Sequence, residues 1–248
     1  MNDKFSYQIA KISKNNGKYR KIYMPNEAYK AHLRQLIPQL QKIYQQNVVF
    51  ESDHAFVLKR NCVTNASIHI EQRYVLSIDI EDFFDSINYR ILSKYIPINL
   101  LEDIIVENKV PQGFPTSPIV ANIAMIDIDK LIIESLERRN PNIKYSRYAD
   151  DLTFSFDNFK EKDLIFAEVI KVFRAFGLKL NSKKTKLQDK NNGRAIITGI
   201  GVCYQTVHPT RKSLKKLRAA THQQNEKSII GLCEWILCKY PKPKTVYR

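Results

Sequence analysis

The spacing of apolar side chains changes several times along the chain, and each change marks an element. Residues 5–12 and 18–24 alternate apolar and polar positions, and Asn15-Asn16-Gly17 between them supplies turn chemistry; together they predict a hairpin. Leu33, Leu36, Ile37, Leu40, Ile43 and Tyr44 recur at helical spacing, and Pro38 predicts a kink within that helix. Residues 74–80, YVLSIDI, read as a short apolar strand, and Ser86 is placed to cap a helix running to about Tyr95. Over residues 116–139, Ile119, Ile123, Ile126, Leu131 and Ile132 predict a long helix with charges towards its end. Residues 144–149 and 151–156 predict two strands paired around a tight turn. A helix over 160–176, apolar at Leu164, Ile165, Val169, Ile170, Phe173 and Phe176, stops at Gly177. Residues 195–204, AIITGIGVCY, predict a further strand or hairpin, and helices over 210–220 and 227–239 follow. There is no internal repeat and no low-complexity tract. The fold class this implies is α+β.

Composition bounds that picture. The 248 residues suit one large domain or two small ones, and 44% apolar residues exclude wholesale disorder. No run approaches 18 apolar residues, and the first twenty residues lack an apolar h-region, so neither a membrane span nor a secretory signal is expected. Four cysteines share no Cys-x-x-Cys spacing and read as free thiols of a reducing, cytoplasmic compartment. The net charge of +15 is unevenly placed: residues 1–30 carry +5, residues 205–248 carry +8, and the long stretch between them only +2. Two basic surfaces flanking a nearly neutral body would attract phosphate backbones. A lysine-rich solvated surface is the plainer alternative, and charge alone leaves both open.

The candidate chemistry lies where acids are expensive. Asp79 ends the apolar run YVLSI, and Asp150 and Asp151 stand side by side between SRYA and LTFSF. Neighbouring acids repel and need a compensating cation. At a tight turn both can lean to one point, and a third acid from a neighbouring strand would complete an oxygen cage for Mg²⁺. Two such ions, about 4 Å apart, activate an attacking hydroxyl and stabilise a leaving pyrophosphate. An isolated Asp-Asp pair is more often a solvated turn, and Asp82 and Asp85 read as a solvated helix start.

The residues around these acids resemble the motifs of reverse transcriptases. Tyr148-Ala149-Asp150-Asp151 is similar to their YxDD signature. LSIDIEDFFDSI (76–87) resembles motif A, PQGFPTSPIVANIAM (111–125) motif B, and GLKLNSKKTKL (177–187) motif D. ITGIGV (197–202) is similar to the segment after motif D, and YRKIYMP (19–25) and HAFVLKRN (54–61) to the two fingers motifs. Asn65-Ala66-Ser67-Ile68-His69 fits the NAxxH element associated with bacterial retron enzymes. Ile197-Thr198-Gly199 stands where their VTG element is found, a conservative departure.

The resemblance implies a right-hand polymerase: fingers over 1–73 with part of 88–110, a palm of antiparallel sheet and helices over 74–203, and a short basic helical thumb over 204–248. Asp79, Asp150, Asp151 and the Ile80 main-chain carbonyl would hold two Mg²⁺ ions, with Mn²⁺ as an alternative. Arg20, Lys59, Phe84, Gln112, Gly113 and Lys184 would meet the dNTP. Phe84 would be the ring that excludes a ribose 2′-OH, and Lys184 would lie near the leaving pyrophosphate. Asn65, His69, Arg211, Lys215 and Arg218 would contact RNA or DNA, the last three from one helix face. Read without the resemblance, His69 is a core histidine with a satisfied ring nitrogen, Asn65 is a turn residue, and Phe84 is a core aromatic beside Phe83.

The implied activity is copying of a structured noncoding RNA into RNA-linked single-stranded DNA, with an effector protein as partner in anti-phage defence and no membrane. Two other functions stay open from sequence: a non-retron defence enzyme that is protein-primed or untemplated, and a polymerase-like RNA-binding module without turnover.

Overall fold

The structure is a computed structural model and describes residues 5–13, 17 and 19–236. Asn15 and Asn16 of the expected turn, and residues 237–239 of the expected last helix, lie outside the described residues. The elements run in the order β1 (Tyr7–Ser13), β2 (Tyr19–Pro25), α1 (Glu27–Asn47), α2 (Cys62–Ser67), β3 (Tyr74–Asp79), α3 (Phe83–Ser86), α4 (Tyr89–Leu92), α5 (Ile98–Ile104), α6 (Ser117–Arg139), β4 (Lys144–Tyr148) and β5 (Asp151–Phe156). Then follow α7 (Glu161–Phe176), β6 (Lys186–Asp189), β7 (Ala195–Ile197), β8 (Ile200–Val202), β9 (Val207–Pro209), α8 (Arg211–His222) and α9 (Glu226–Ile236). The chain divides into two compact units. One holds residues 1–51, 80–132 and 170–179; the other holds 52–79, 133–169 and 180–248.

In the first unit, β1 and β2 form the expected antiparallel hairpin, with Ser13 opposite Tyr19. Asn26 then caps α1: its side chain accepts the Tyr29 N–H at 2.8 Å, satisfying one of the unpaired donors at a helix start. The apolar stripe of α1 buries Tyr29, Leu33, Leu40 and Tyr44, with Pro38 inside the helix. Phe114 is buried against Tyr7, Tyr23 and Tyr29, at ring-centroid distances of 6.0, 6.3 and 5.2 Å. Edge-on packing of this kind is favoured by the ring quadrupoles. Gly177 takes the left-handed conformation (φ 72) and ends α7, and the Leu178 N–H donates back to the Phe173 carbonyl.

The helix expected from Ser86 to Tyr95 is not continuous. Asp82, left-handed at φ 44, opens the single turn α3, in which Ser86 is the last residue rather than the cap. Ile87 is extended and breaks the helix, and Asn88 caps α4 by accepting the Ile91 N–H.

The second unit is built on a four-stranded antiparallel sheet in the order β4-β5-β3-β6. The residues of β3 and β5 are almost all buried, although in β5 the buried Thr153 and Ser155 alternate with Leu152, Phe154 and Phe156. A smaller antiparallel sheet, β7-β8-β9, settles the strand-or-hairpin alternative for residues 195–204 as a hairpin. Its turn uses Thr198 and Gly199, both with positive φ. Cys62, Val63 and Ala66 of α2 share one apolar core with Ile197, Ile200, Val202 and Val207. No helix among the described residues is long and apolar enough to cross a membrane.

Candidate active site

Asp79 closes β3 and Asp151 opens β5, and the antiparallel register sets them directly opposite each other. Asp150 precedes Asp151 in the two-residue loop that joins β4 to β5, since Tyr148 pairs with Asp151. Ala149, the other loop residue, is left-handed at φ 57, a conformation that costs a residue with a Cβ. The Arg147 guanidinium donates to the Ala149 carbonyl at 3.2 Å, and Arg147 is 1% exposed. The sequence therefore delivers three carboxylates to adjacent strand ends by pairing β4 and β5 around one tight turn and setting β5 against β3.

The electrostatics follow from that crowding. Burial, then repulsion from Asp150 and Asp79, pushes the Asp151 carboxyl up to about 6, against a smaller opposing pull from Lys184. Asp79 is buried and both of its oxygens have partners. Oδ1 accepts the Asn181 side-chain amide at 2.8 Å, and Oδ2 accepts the Lys184 ammonium at 2.7 Å. That hydrogen bond to Asp79 raises the Lys184 ammonium above the usual lysine range. The Asn181 N–H also donates to the Asp79 carbonyl. Lys184 thus holds a carboxylate of the site in this structure. Among the described residues no three His, Cys, Asp or Glu side chains gather into a metal cage. The donors present are hard carboxylate oxygens, which suit Mg²⁺, and the Asp151 carboxyl is one that a cation would stabilise in its ionised form.

The other expected site residues fall in different places. Ile80 is buried immediately after β3. In the first unit, Phe83 is buried and Phe84 is only half-buried beside it, with ring centroids 5.4 Å apart. Phe83 therefore takes the core position, and Phe84 keeps accessible ring surface. The Gln112 carbonyl accepts the Tyr23 N–H at 2.7 Å. Gly113 has φ 115, and a Cβ there would lie 2.3 Å from the Tyr23 carbonyl oxygen. The close approach that requires glycine is therefore made by β2 of this chain. Arg20 is exposed on β2, opposite Ile12. In the second unit, Lys59 is exposed with φ 65. Arg211, Lys215 and Arg218 are exposed on α8, which Thr210 caps.

Asn65 and His69 depart from the expectation of nucleic-acid contact. Both have 0% exposure, so neither side chain presents surface to an RNA or DNA strand. His69 bonds through both ring nitrogens, to Ser155 Oγ at 2.9 Å and Ser146 Oγ at 2.7 Å. Burial and the nearby Lys190 charge lower its imidazolium to about 3. The plain reading of His69 as a core histidine holds, whereas Asn65 lies inside α2 and is not a turn residue. Arg147 and Asn181 are the contributors that sequence reasoning passed over. A signal for each was present: an arginine immediately before the Tyr148-Ala149-Asp150-Asp151 turn, and an asparagine beside the motif D lysines.

His54 is a second buried histidine, and burial lowers it to about 4, helped by Arg60. A lowered histidine binds more protons when the chain is unfolded, so it adds stability above about pH 6.5 that is lost as pH falls towards 4. Below pH 6.5, His54→Gln is therefore expected to flatten the acid loss of stability by about 1.4 kcal/mol per pH unit. Urea midpoints at pH 7, 6 and 5 test this, and parallel curves for the two proteins would refute it.

Comparison with known proteins gives a consistent result. Residues 12–196 match the family described as Reverse transcriptase (RNA-dependent DNA polymerase). The retron Ec86 reverse transcriptase of Escherichia coli is 30% identical over 238 residues, covering 88% of this chain and 70% of that protein. The retron Ec73 reverse transcriptase, also from Escherichia coli, is 28% identical over 232 residues, covering 83% and 72%. Among solved structures, the telomerase of Candida albicans in complex with a fragment of telomeric RNA superposes with a TM-score of 0.64. That match has 11% identity and covers 93% of this chain and 55% of the other, so it speaks to the fold alone. The fold it supports is the right-hand polymerase that the motifs implied.

Proposed function

This chain belongs to the retron-type reverse transcriptases, RNA-directed DNA polymerases, and from that premise we propose that it copies part of a structured noncoding RNA into single-stranded DNA that stays linked to the RNA. The observation that carries the reading is the placement of Asp79 opposite Asp151, with Asp150 next to it, at adjacent strand ends. Phosphoryl transfer needs alignment and charge neutralisation more than covalent help, and a cluster of acids is the means to recruit cations for both. Asp79, Asp150, Asp151 and the Ile80 carbonyl would hold Mg²⁺. When bound, the ions activate the attacking hydroxyl and stabilise the leaving pyrophosphate. Lys184 would leave Asp79 as the cations enter, and its side chain, 62% exposed, has room to turn towards the triphosphate.

In this assignment the fingers comprise 1–73 with part of 88–110, the palm 74–203 and the thumb 204–248. Arg20 and Lys59 face the triphosphate, Gln112 and Gly113 line the nucleotide pocket, and Arg211, Lys215 and Arg218 follow the template duplex. The enzyme works in the bacterial cytoplasm with an effector protein in anti-phage defence. Nucleic acid isolated with the protein from its native locus tests the product directly. Treatment with RNase, DNase and a debranching enzyme should reveal DNA joined to RNA, and its absence would remove the retron product from the reading. Phe84→Ala is expected to admit rNTPs, because the accessible ring would no longer exclude the 2′-OH. An unchanged ratio of dNTP to rNTP incorporation by the variant would take Phe84 out of that role.

A further inference from the structure

The Asn65 and His69 side chains of the NAxxH segment are excluded from direct nucleic-acid contact by their burial, and their polar groups point elsewhere. Asn65 Oδ1 accepts the Ser146 hydroxyl at 2.6 Å, so that hydroxyl has no second proton to give. The 2.7 Å contact between Ser146 Oγ and His69 Nε2 is then an Nε2–H donor bond into the serine oxygen. His69, neutral with its proton on Nε2, accepts the Ser155 hydroxyl at Nδ1, 2.9 Å away. Gln72 Oε1, at 3.3 Å, is the longer competitor for the same proton. Ser146 thus donates to Asn65 and accepts from His69, Ser155 donates to His69, each ring nitrogen has one partner, and Asn65, His69, Ser146 and Ser155 are all buried.

The two serines lie on different strands. Ser146 of β4 pairs with Thr153, and Ser155 of β5 pairs with Lys144. One imidazole therefore bridges the two strands diagonally, behind the turn that carries Asp150 and Asp151. A one-residue slip of an antiparallel pair turns every side chain to the other face. Here a slip would also strand both ring nitrogens in a dry interior, which is costly. The other end of the network leads to the Thr198 turn. Asn65 Nδ2 lies 3.5 Å from Thr198 Oγ1, and that hydroxyl lies 3.4 Å from the Cys62 carbonyl. The buried Lys190 ammonium donates to the His69 carbonyl and, at 3.3 Å, to the Cys203 carbonyl.

We propose that Asn65 and His69 are positioning residues for catalysis: through Ser146 and Ser155 they fix the β4–β5 register, and with it the turn that sets Asp150 beside Asp151, the residue that β5 holds opposite Asp79. The proposal rests on the catalytic reading of those acids and adds to it the means by which they are held.

The test uses the full chain on an oligo(dT)-primed poly(rA) template with Mg²⁺ and dTTP. His69→Ala is expected to lower kcat by about tenfold to a hundredfold, as a misplacement near 1 Å does. The KM for dTTP and the affinity for template-primer should stay within about twofold, and half-saturating Mg²⁺ should rise. Combining His69→Ala with Ser146→Ala and Ser155→Ala should cost kcat less than the separate losses multiply to, because all three remove one bridge. Multiplicative losses, an unchanged kcat, or weakened template-primer binding with kcat intact would each overturn the proposal, the last in favour of nucleic-acid recognition. If His69→Ala does not fold, Ser146→Ala and Ser155→Ala carry the test: each should lower kcat without changing binding, and unchanged kcat in both overturns it. Asp150→Asn is the control for the underlying reading. Synthesis retained in that variant removes the catalytic assignment, whereas its loss beside unaffected His69 and serine variants removes only the positioning role.

Discussion

Asp151→Asn is expected to reduce Mg²⁺-dependent DNA synthesis by roughly 10³-fold while RNA binding stays unchanged. The substitution keeps the shape of the side chain and removes the charge that recruits the cation. Its effect on stability should have the opposite sign. The Asp151 carboxyl is raised to about 6 in the folded chain, so its ionisation is less favourable there than in the unfolded chain. A raised carboxyl leaves the fold most stable below the unfolded value near 4, and stability is lost as pH rises through about 6. At pH 7 the wild-type chain therefore carries a penalty on the order of 1–3 kcal/mol, which asparagine does not incur. A variant that is inactive and melts higher at pH 7, with the gain shrinking towards pH 4, is the expected pair of results. Asp150→Asn should share the loss of activity. Synthesis retained in both variants would sink the two-metal mechanism.

Gly113→Ala is expected to destabilise the first unit by about 2–5 kcal/mol. Two causes act together. The backbone at φ 115 is one that L side chains rarely adopt, and the added methyl would meet the Tyr23 carbonyl at 2.3 Å. That carbonyl belongs to a strand tied to the same loop by the hydrogen bond from Tyr23 N–H to Gln112 O. Relief would have to break the bond or move β2. Urea unfolding followed by near-ultraviolet circular dichroism checks this, since Tyr7, Tyr23, Tyr29 and Phe114 lie beside the strained loop. An unchanged midpoint would show that β2 yields without cost.

The hairpin that carries the acids was legible because its flanks are. SRY and LTFSF are β-forming on both sides of two acids that cannot both be buried within a strand, so the turn could fall only between them. The long helix α6 and the glycine stop of α7 were legible for similar reasons. Residues 98–104 were not, because a short apolar run after Pro97 fits a strand or a helix equally well. The break after Ser86 was hidden because it begins at Asp82, whose left-handed conformation local preference does not favour, and ends at a single extended Ile87 within an apolar pattern that also fits a helix. For Asn65 the pattern misled: a polar residue on a short helix normally faces water, and only the serines on the buried hairpin, which need partners, hinted that it faces inward. For His69 the plain reading as a core histidine was right, and the resemblance led away from it.

The shared core of α2 and the β7–β8 hairpin has a consequence for inheritance. Asn65 and Thr198 stand 133 residues apart, yet their surroundings fill one space. Recombination between two relatives with a crossover anywhere from β3 to β6 would unite an α2 from one parent with a hairpin from the other. Chimeras that exchange both segments together should keep native melting temperatures, and those that exchange one should not. Two stretches far apart in the gene thus form a single hereditary unit, and drift in one is constrained by the other.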